Sequence, residues 1–239
     1  MTDSSTPAHK TFHEKLDTLK EGLVALSQRA EEVLDLSMEA LRQRDATKAQ
    51  AVVLADQDVD RQEVELEALA ISLLALQQPM ARDLRFIIGA IKITSDLERV
   101  GDHAVNIAGS TIRMAALPGK LLPVPPQIEE MGRLARRMLS DSLDAVIRLD
   151  GVLGRDVCGR DDAVDALHES MFRSLLTHMM EEPRTISCAL ELLLVGRNLE
   201  RVADLATNIA EDAVYLAEGV YIKHHLEARP DDHRESVHG

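Results

Sequence analysis

The chain has no tryptophan, two tyrosines and three phenylalanines, so aromatics make up only 2% of its 239 residues. A core without large rings must be built from Leu, Ala, Val, Ile and Met, which suits packed helices better than a β-sandwich. Cysteine is nearly absent. Cys158 and Cys188 make no CxxC or other ligand spacing, and with no secretory leader in view they are expected to be free thiols in a reducing compartment. Long apolar runs are absent too. The longest uncharged stretch, residues 68–81, spans 14 residues and includes Gln77, Gln78 and Pro79, too short to cross a bilayer. The opening "MTDSSTPAHK" has no apolar signal segment. Positive charge is in deficit. Against 41 acids stand 27 Lys and Arg, a net charge of −14, which opposes binding to nucleic-acid backbones. No Gly-rich phosphate loop, nucleophile elbow or HExxH is present, nor the paired Glu-x-x-His of a ferritin-like di-iron site. The chain offers no catalytic constellation and is expected to be a soluble, cytoplasmic non-enzyme.

What remains is a strong helical signal. Phe12, Leu16, Leu19, Leu23, Leu26, Ala30 and Val33 alternate by four and three, one apolar seam of an amphipathic helix running to about Arg44. Asp45 is placed to cap a second helix over about 47–77. "QQPMARD" turns the chain into a third, over about 82–116. The segment 117–126, "LPGKLLPVPP", holds four of the eight prolines and reads as a linker. Beyond it, Ile128, Met131, Ala135, Met138, Ser142, Ala145 and Leu149 restart the pattern. A fifth helix, of uncertain start behind Gly151, Gly154 and Gly159, is expected to be regular by Asp161 and to end near Glu182. Pro183 opens a sixth that runs past Tyr215. The fold class expected is all-α, two tandem three-helix bundles related by an internal repeat: a first bundle over 10–116, the linker 117–126, a second bundle over 127–223 and a polar tail over 224–239.

The third and sixth helices carry the repeat itself. "DLERVGDHAVNIA", ending at Ala108, and "NLERVADLATNIA", beginning at Asn198, match at nine of thirteen positions, 102 residues apart. Glu98 and Asp102 are one turn apart and share a stripe, which Asn106 extends. The helix before repeats the pattern with Asp56, Asp60, Glu63 and Glu67. Counting outward from Pro79, an antiparallel hairpin sets Asp60 opposite Glu98 and Asp56 opposite Asp102. In the second half, Asp161 and Asp165 meet Glu200 and Asp204 in the same way, with Asn208 repeating Asn106 and His168 one turn from Asp165. Two carboxylates about 5 Å apart repel by roughly 3 kcal/mol at an effective dielectric of 20. Each group of four therefore calls for positive charge. Either Arg99 and Arg201 supply it, or metal ions bound by oxygen ligands do.

Together these residues resemble the PhoU family, accessory regulators of bacterial high-affinity phosphate transport. The resemblance rests on "QQPMARDLRFIIGAIKITSDLERVGDHAVNIA" in the first half. In the second it rests on "LLTHMMEEPRTISCALELLLVGRNLERVADLATNIAEDAVYLAEG". It implies two tandem three-helix bundles. It also implies multinuclear metal clusters held by paired E/D-x-x-x-D motifs, which map onto Asp56, Asp60, Glu98 and Asp102, and onto Asp161, Asp165, Glu200 and Asp204. Iron, manganese, zinc and magnesium are all candidates. Two departures stand out: Ala203 replaces Gly101, and Glu211 stands where the first copy has Gly109. The function implied is negative regulation of phosphate uptake and of the starvation response. Its expected partners are the ATPase subunit of the phosphate ABC transporter and a phosphate-sensing histidine kinase, often with the regulator as a homodimer and without membrane insertion. The acids alone permit another reading, a metal-storage, metal-buffering or metal-assisted phosphate-handling protein.

Overall fold

The computed structural model describes residues 7–77, 79–118, 121–220 and 222, with backbone only for residues 7–11, 76 and 77. The tail expected over 224–239 and Gly119–Lys120 of the linker lie outside the described residues. Every regular element among those described is helical: α1 (Pro7–Gln43), α2 (Ala46–Gln77), α3 (Ala81–Ala115), α4 (Pro126–Arg148), α5 (Gly151–Cys158), α6 (Asp161–Glu181) and α7 (Ile186–Glu218), with a 3₁₀ turn, Pro183–Thr185, leading into α7. None of these helices is long and apolar enough to cross a membrane.

The apolar seam of α1 is buried at every expected position from Phe12 to Val33. The α1–α2 corner is tight. Arg44 takes a left-handed conformation (φ 53°), and the Asp45 carboxylate accepts from the backbone N–H of Thr47 (2.9 Å) and Lys48 (3.1 Å). These bonds satisfy two of the amides orphaned at the start of α2. In the second half the middle helix is broken in two. Asp150 caps a separate short helix, accepting from Val152 and Leu153 N–H at 3.0 Å, and the chain bends at Gly159–Arg160 before α6. The glycines that blurred the fifth helix therefore mark an additional element. Gly154 has a packing reason as well. A Cβ there would lie 2.9 Å from the Ala210 carbonyl oxygen of α7, so only glycine lets α5 sit this close.

α1, α2 and α3 pack on one another, as do α4, α6 and α7, with α5 against α4 and α7. The two bundles are joined along their length by α3 against α7 and by α1 against α4, and one continuous apolar core runs through both. α3 and α7 run antiparallel. Lys92 meets Asp212 (3.6 Å), His103 meets Asn198 (2.9 Å) and Arg113 meets Glu191 through two 2.8 Å bonds. Their inner arcs, Ile93, Leu97, Val100, Ala104 and Ile107 on α3, and Val195, Leu199, Val202, Ala206 and Ile209 on α7, are fully buried. On the α1–α4 side, Arg136 reaches Asp35 (2.7 Å) and Glu31 (3.5 Å). The linker is anchored: Leu122 is buried and its carbonyl accepts from the Arg44 guanidinium. Cys188 is buried and Cys158 half-buried, and both are free.

Gly154 of α5 and Gly159 just past its end separate by substitution. Gly154→Ala forces a methyl onto a backbone oxygen and should destabilise by about 1–3 kcal/mol. At Gly159 the φ is −73° and the nearest atom to an added Cβ is 3.6 Å away. Gly159→Ala should therefore be neutral or stabilise by about 0.4–1 kcal/mol. Urea titrations of both variants check the contrast; equal shifts would contradict the tight α5–α7 contact.

Candidate functional site

The hairpin α2–α3 carries the first acidic group and the α6–α7 hairpin the second. In each, polar residues fall on the flank left after the helix has spent its apolar arc on the core, so the carboxylates of neighbouring helices line a shared groove near the surface. Asp56 is the exception, a buried acid. It leans on the backbone of α3 at Gly101, where any Cβ would collide with its Oδ1. That oxygen is buried without a hydrogen-bond partner, an arrangement that is costly unless something external satisfies it. Ala203 occupies the equivalent position in the second half, where Asp161 is only half-buried. The Gly101/Ala203 departure thus accompanies the difference between a buried acid and a half-buried one.

The charges interact as the hairpin count required. Burial, then the carboxylates of Asp60 and Asp102, push the Asp56 carboxyl up to about 6. Burial, then Asp102, Glu63, Asp60 and Asp56, push Glu98 up to about 7. Glu63 is raised as well, by burial and by Glu67, Asp60 and Asp102. Glu63 acts on Glu98 ahead of Asp60, while Gly101 rests against Asp56 and Val59, close to the height that equal counting from Pro79 gives. Glu63 lay on the acidic stripe and belongs with the four acids of the first site. In the second group, burial, then Asp165, Asp204, Asp162 and Glu200, raise Asp161 to about 6. Asp162 is the addition there.

The neighbouring cations divide unequally. Arg99 turns to Asp96 on its own helix (3.6 Å). Arg201 pairs with Asp204 (3.0 Å), and His168 Nδ1 lies 3.3 Å from Glu200. The second group is therefore partly compensated by the Arg201 charge, while Arg99 leaves the first without that help. Asn106 and Asn208 leave the acidic stripe, since each four-residue step drifts about 40° around a helix. They line notches between α3 and α7 instead. Among the described residues no three His, Cys, Asp or Glu side chains converge as a finished metal site. The donor set is nonetheless all oxygen, like-charged and spread over two helices, with one orphaned carboxylate oxygen. In donor chemistry it suits a hard cation.

A family model described as the PhoU domain matches the chain twice, over residues 23–111 and 128–213. The "Phosphate-specific transport system accessory protein PhoU homolog" of Aquifex aeolicus is 40% identical over 217 residues, covering 90% of this chain and 96% of that one. The protein of the same description from Caulobacter vibrioides (strain NA1000 / CB15N) is 41% identical over 202 residues, covering 84% and 87%. Among solved structures, PhoU from Pseudomonas aeruginosa superposes with a TM-score of 0.84 at 33% identity, covering 87% of this chain and 100% of that one. The phosphate transport system regulatory protein PhoU from Streptococcus pneumoniae gives 0.81 at 28%, covering 88% and 98%.

The raised carboxyls make a pH prediction for protein stripped of metal. Between about pH 4.5 and 7 the folded state holds protons on Glu98, Asp56 and Asp161 that the unfolded chain has released, so stability falls as pH rises through this window. Solvent screening reduces the effect to about 1 kcal/mol, a few degrees in Tm for a chain of this size. Thermal melts from pH 8 to 5 in chelator should therefore rise on acidification, and Glu98→Gln should flatten the slope. A wild-type Tm that falls steadily over that range would show the carboxylates to be already compensated.

Proposed function

The chain belongs to the PhoU family, and from that premise we propose that it is a negative regulator of phosphate uptake and of the phosphate-starvation response. The observation that carries the reading is the PhoU domain matched twice, over residues 23–111 and 128–213, once in each bundle. The protein acts in the cytoplasm through protein contacts, with the ATPase subunit of the phosphate ABC transporter and with a phosphate-sensing histidine kinase. It works as a homodimer, with no membrane insertion, no nucleic-acid partner and no turnover of its own. Deletion should raise phosphate uptake and switch starvation genes on in phosphate-rich medium, measured by labelled-phosphate uptake and transcript levels. Unchanged uptake and transcripts in the deletion strain would remove the regulatory reading.

The orphaned Asp56 oxygen and the raised carboxyls favour a second component, metal ions held at the acidic groups. Asp56, Asp60, Glu98 and Asp102, with Glu63, would hold one site, and Asp161, Asp165, Glu200 and Asp204 the other. A divalent or trivalent cation, whether iron, manganese, zinc or magnesium, would supply charge neutralisation. The chain's own residues position the acids, and Gly101 makes room for Asp56. Asp102→Asn and Asp204→Asn each remove a ligand and a charge. Each should lower bound-metal stoichiometry and shrink the Tm gain that added metal gives. With chelator, Asp102→Asn should instead be neutral or stabilising, because only repulsion is lost. Metal analysis and paired melts read both effects, and a wild type that copurifies without metal and whose Tm ignores all four ions would eliminate the sites.

A further inference from the structure

The α3–α7 seam holds two notches, and each is built from both copies of the repeated motif. In the first, of about 330 Å³, His103, Asn106 and Arg113 of α3 face Arg197, Asn198 and Arg201 of α7. The arginine of the second motif copy thus meets the asparagine of the first. In the other, of about 510 Å³, Arg99 of the first copy meets Asn208 of the second, beside Lys92, Ser95, Asp96 and Asp212. The two are one repeat apart position by position: Arg197 corresponds to Ser95, Asn198 to Asp96 and Arg201 to Arg99. The same architecture has diverged in charge. The second notch is lined by Glu63 and Glu67 as well as Asp96 and Asp212, and is acidic. The first is lined by three arginines and a histidine with no acid among its lining residues, on a chain of net charge −14.

The geometry points to the first notch as a binding site for a small tetrahedral oxyanion of the phosphate class, either free or as the phosphate end of a small molecule. Arg113 is fixed in place by two 2.8 Å bonds to Glu191 and one of 2.9 Å to the Ser110 hydroxyl. Asn198 is tied to the Leu194 carbonyl (2.7 Å) and to His103 Nδ1 (2.9 Å). The walls are therefore preorganised across the two bundles, which limits the ordering cost of binding. Arg201 lies one turn from Arg197 on the same face of α7 and keeps N–H groups beyond the one it gives Asp204. Arg197 makes no ion pair or hydrogen bond with any described residue. Guanidinium groups with spare N–H donors recognise phosphate-class anions through charge-assisted and bidentate bonds. A volume of about 330 Å³ is at the small end of ligand pockets, roomy for a bare ion and sufficient for a phosphorylated small molecule. The site stands on these lining residues alone, apart from the transport reading and from any metal at the acidic groups.

The test is equilibrium binding of inorganic phosphate, sulfate and ADP to the full chain, stripped of metal and dialysed free of chelator. Arg197→Glu and Arg99→Glu are compared with wild type. Both substitutions are at exposed positions and change the net charge equally, so they differ only in which notch they alter. At least one of the three anions should bind with Kd below about 1 mM and weaken tenfold or more in Arg197→Glu, with less than a twofold change in Arg99→Glu. Tighter phosphate than ADP identifies the free ion, and the reverse order a phosphorylated small molecule. The proposal is overturned if no anion binds, if Arg197→Glu binds like wild type, or if the two variants weaken equally. Circular dichroism confirms that both variants keep the helical fold.

Discussion

Everything distinctive in this molecule depends on α3 and α7 lying antiparallel with their apolar arcs pressed together. That contact commits one face of each helix to the core. It directs the remaining positions of the repeated motif to two destinations. Glu98 and Asp102, or Glu200 and Asp204, turn outward toward the preceding helix of their own hairpin. The arginine and asparagine of the same motif turn toward the seam, where each copy meets the other. One nine-residue pattern thus builds two kinds of site because successive residues step about 100° around the helix.

The acidic grooves are held open against their own repulsion by the rest of the fold. Stabilities of folded chains amount to about 5–15 kcal/mol, and several like-charged pairs are a sizeable charge against that margin. The two halves answer differently. In the second, Arg201 and His168 sit against Asp204 and Glu200. In the first, Arg99 is engaged with Asp96 and one oxygen of Asp56 is sealed against Gly101 without a donor. The first groove is consequently less compensated by the protein's own charges than the second.

The helices were legible because each apolar seam has a clean period. The apolar positions read from the sequence on α1 and α4 are buried, apart from Leu149, which ends α4 half-exposed in a left-handed conformation. The pairing of the acids was legible because a hairpin fixes relative height: Asp60 and Asp102 act on Asp56, and Asp165, Asp204 and Glu200 on Asp161. Other features were not legible. The short α5 was hidden by its glycines, whose role is close packing on α7 and hence invisible without α7. Glu63 was passed over because counting from a turn locates a neighbour only to within a helical step. The burial of Asp56 depends on a missing Cβ on another helix, and the joining of both bundles in one core depends on which outer faces meet. Asp212, buried against Lys92 across the seam, is of the same kind.

The seam has a symmetry of its own. Because α3 and α7 are copies of one segment running in opposite directions, residue pairs across it are approximately exchanged by a two-fold axis passing near Gly101 and Ala203. This is the arrangement of an isologous interface between two identical subunits, here enclosed in one chain. A pair of separate, identical repeats would have to carry the same residues in both notches, so any change made to one would be made to the other. Fusion removes that obligation. It is what allows one notch to keep three arginines while its twin fills with acids, and one groove to bury fully an aspartate that the other buries by half.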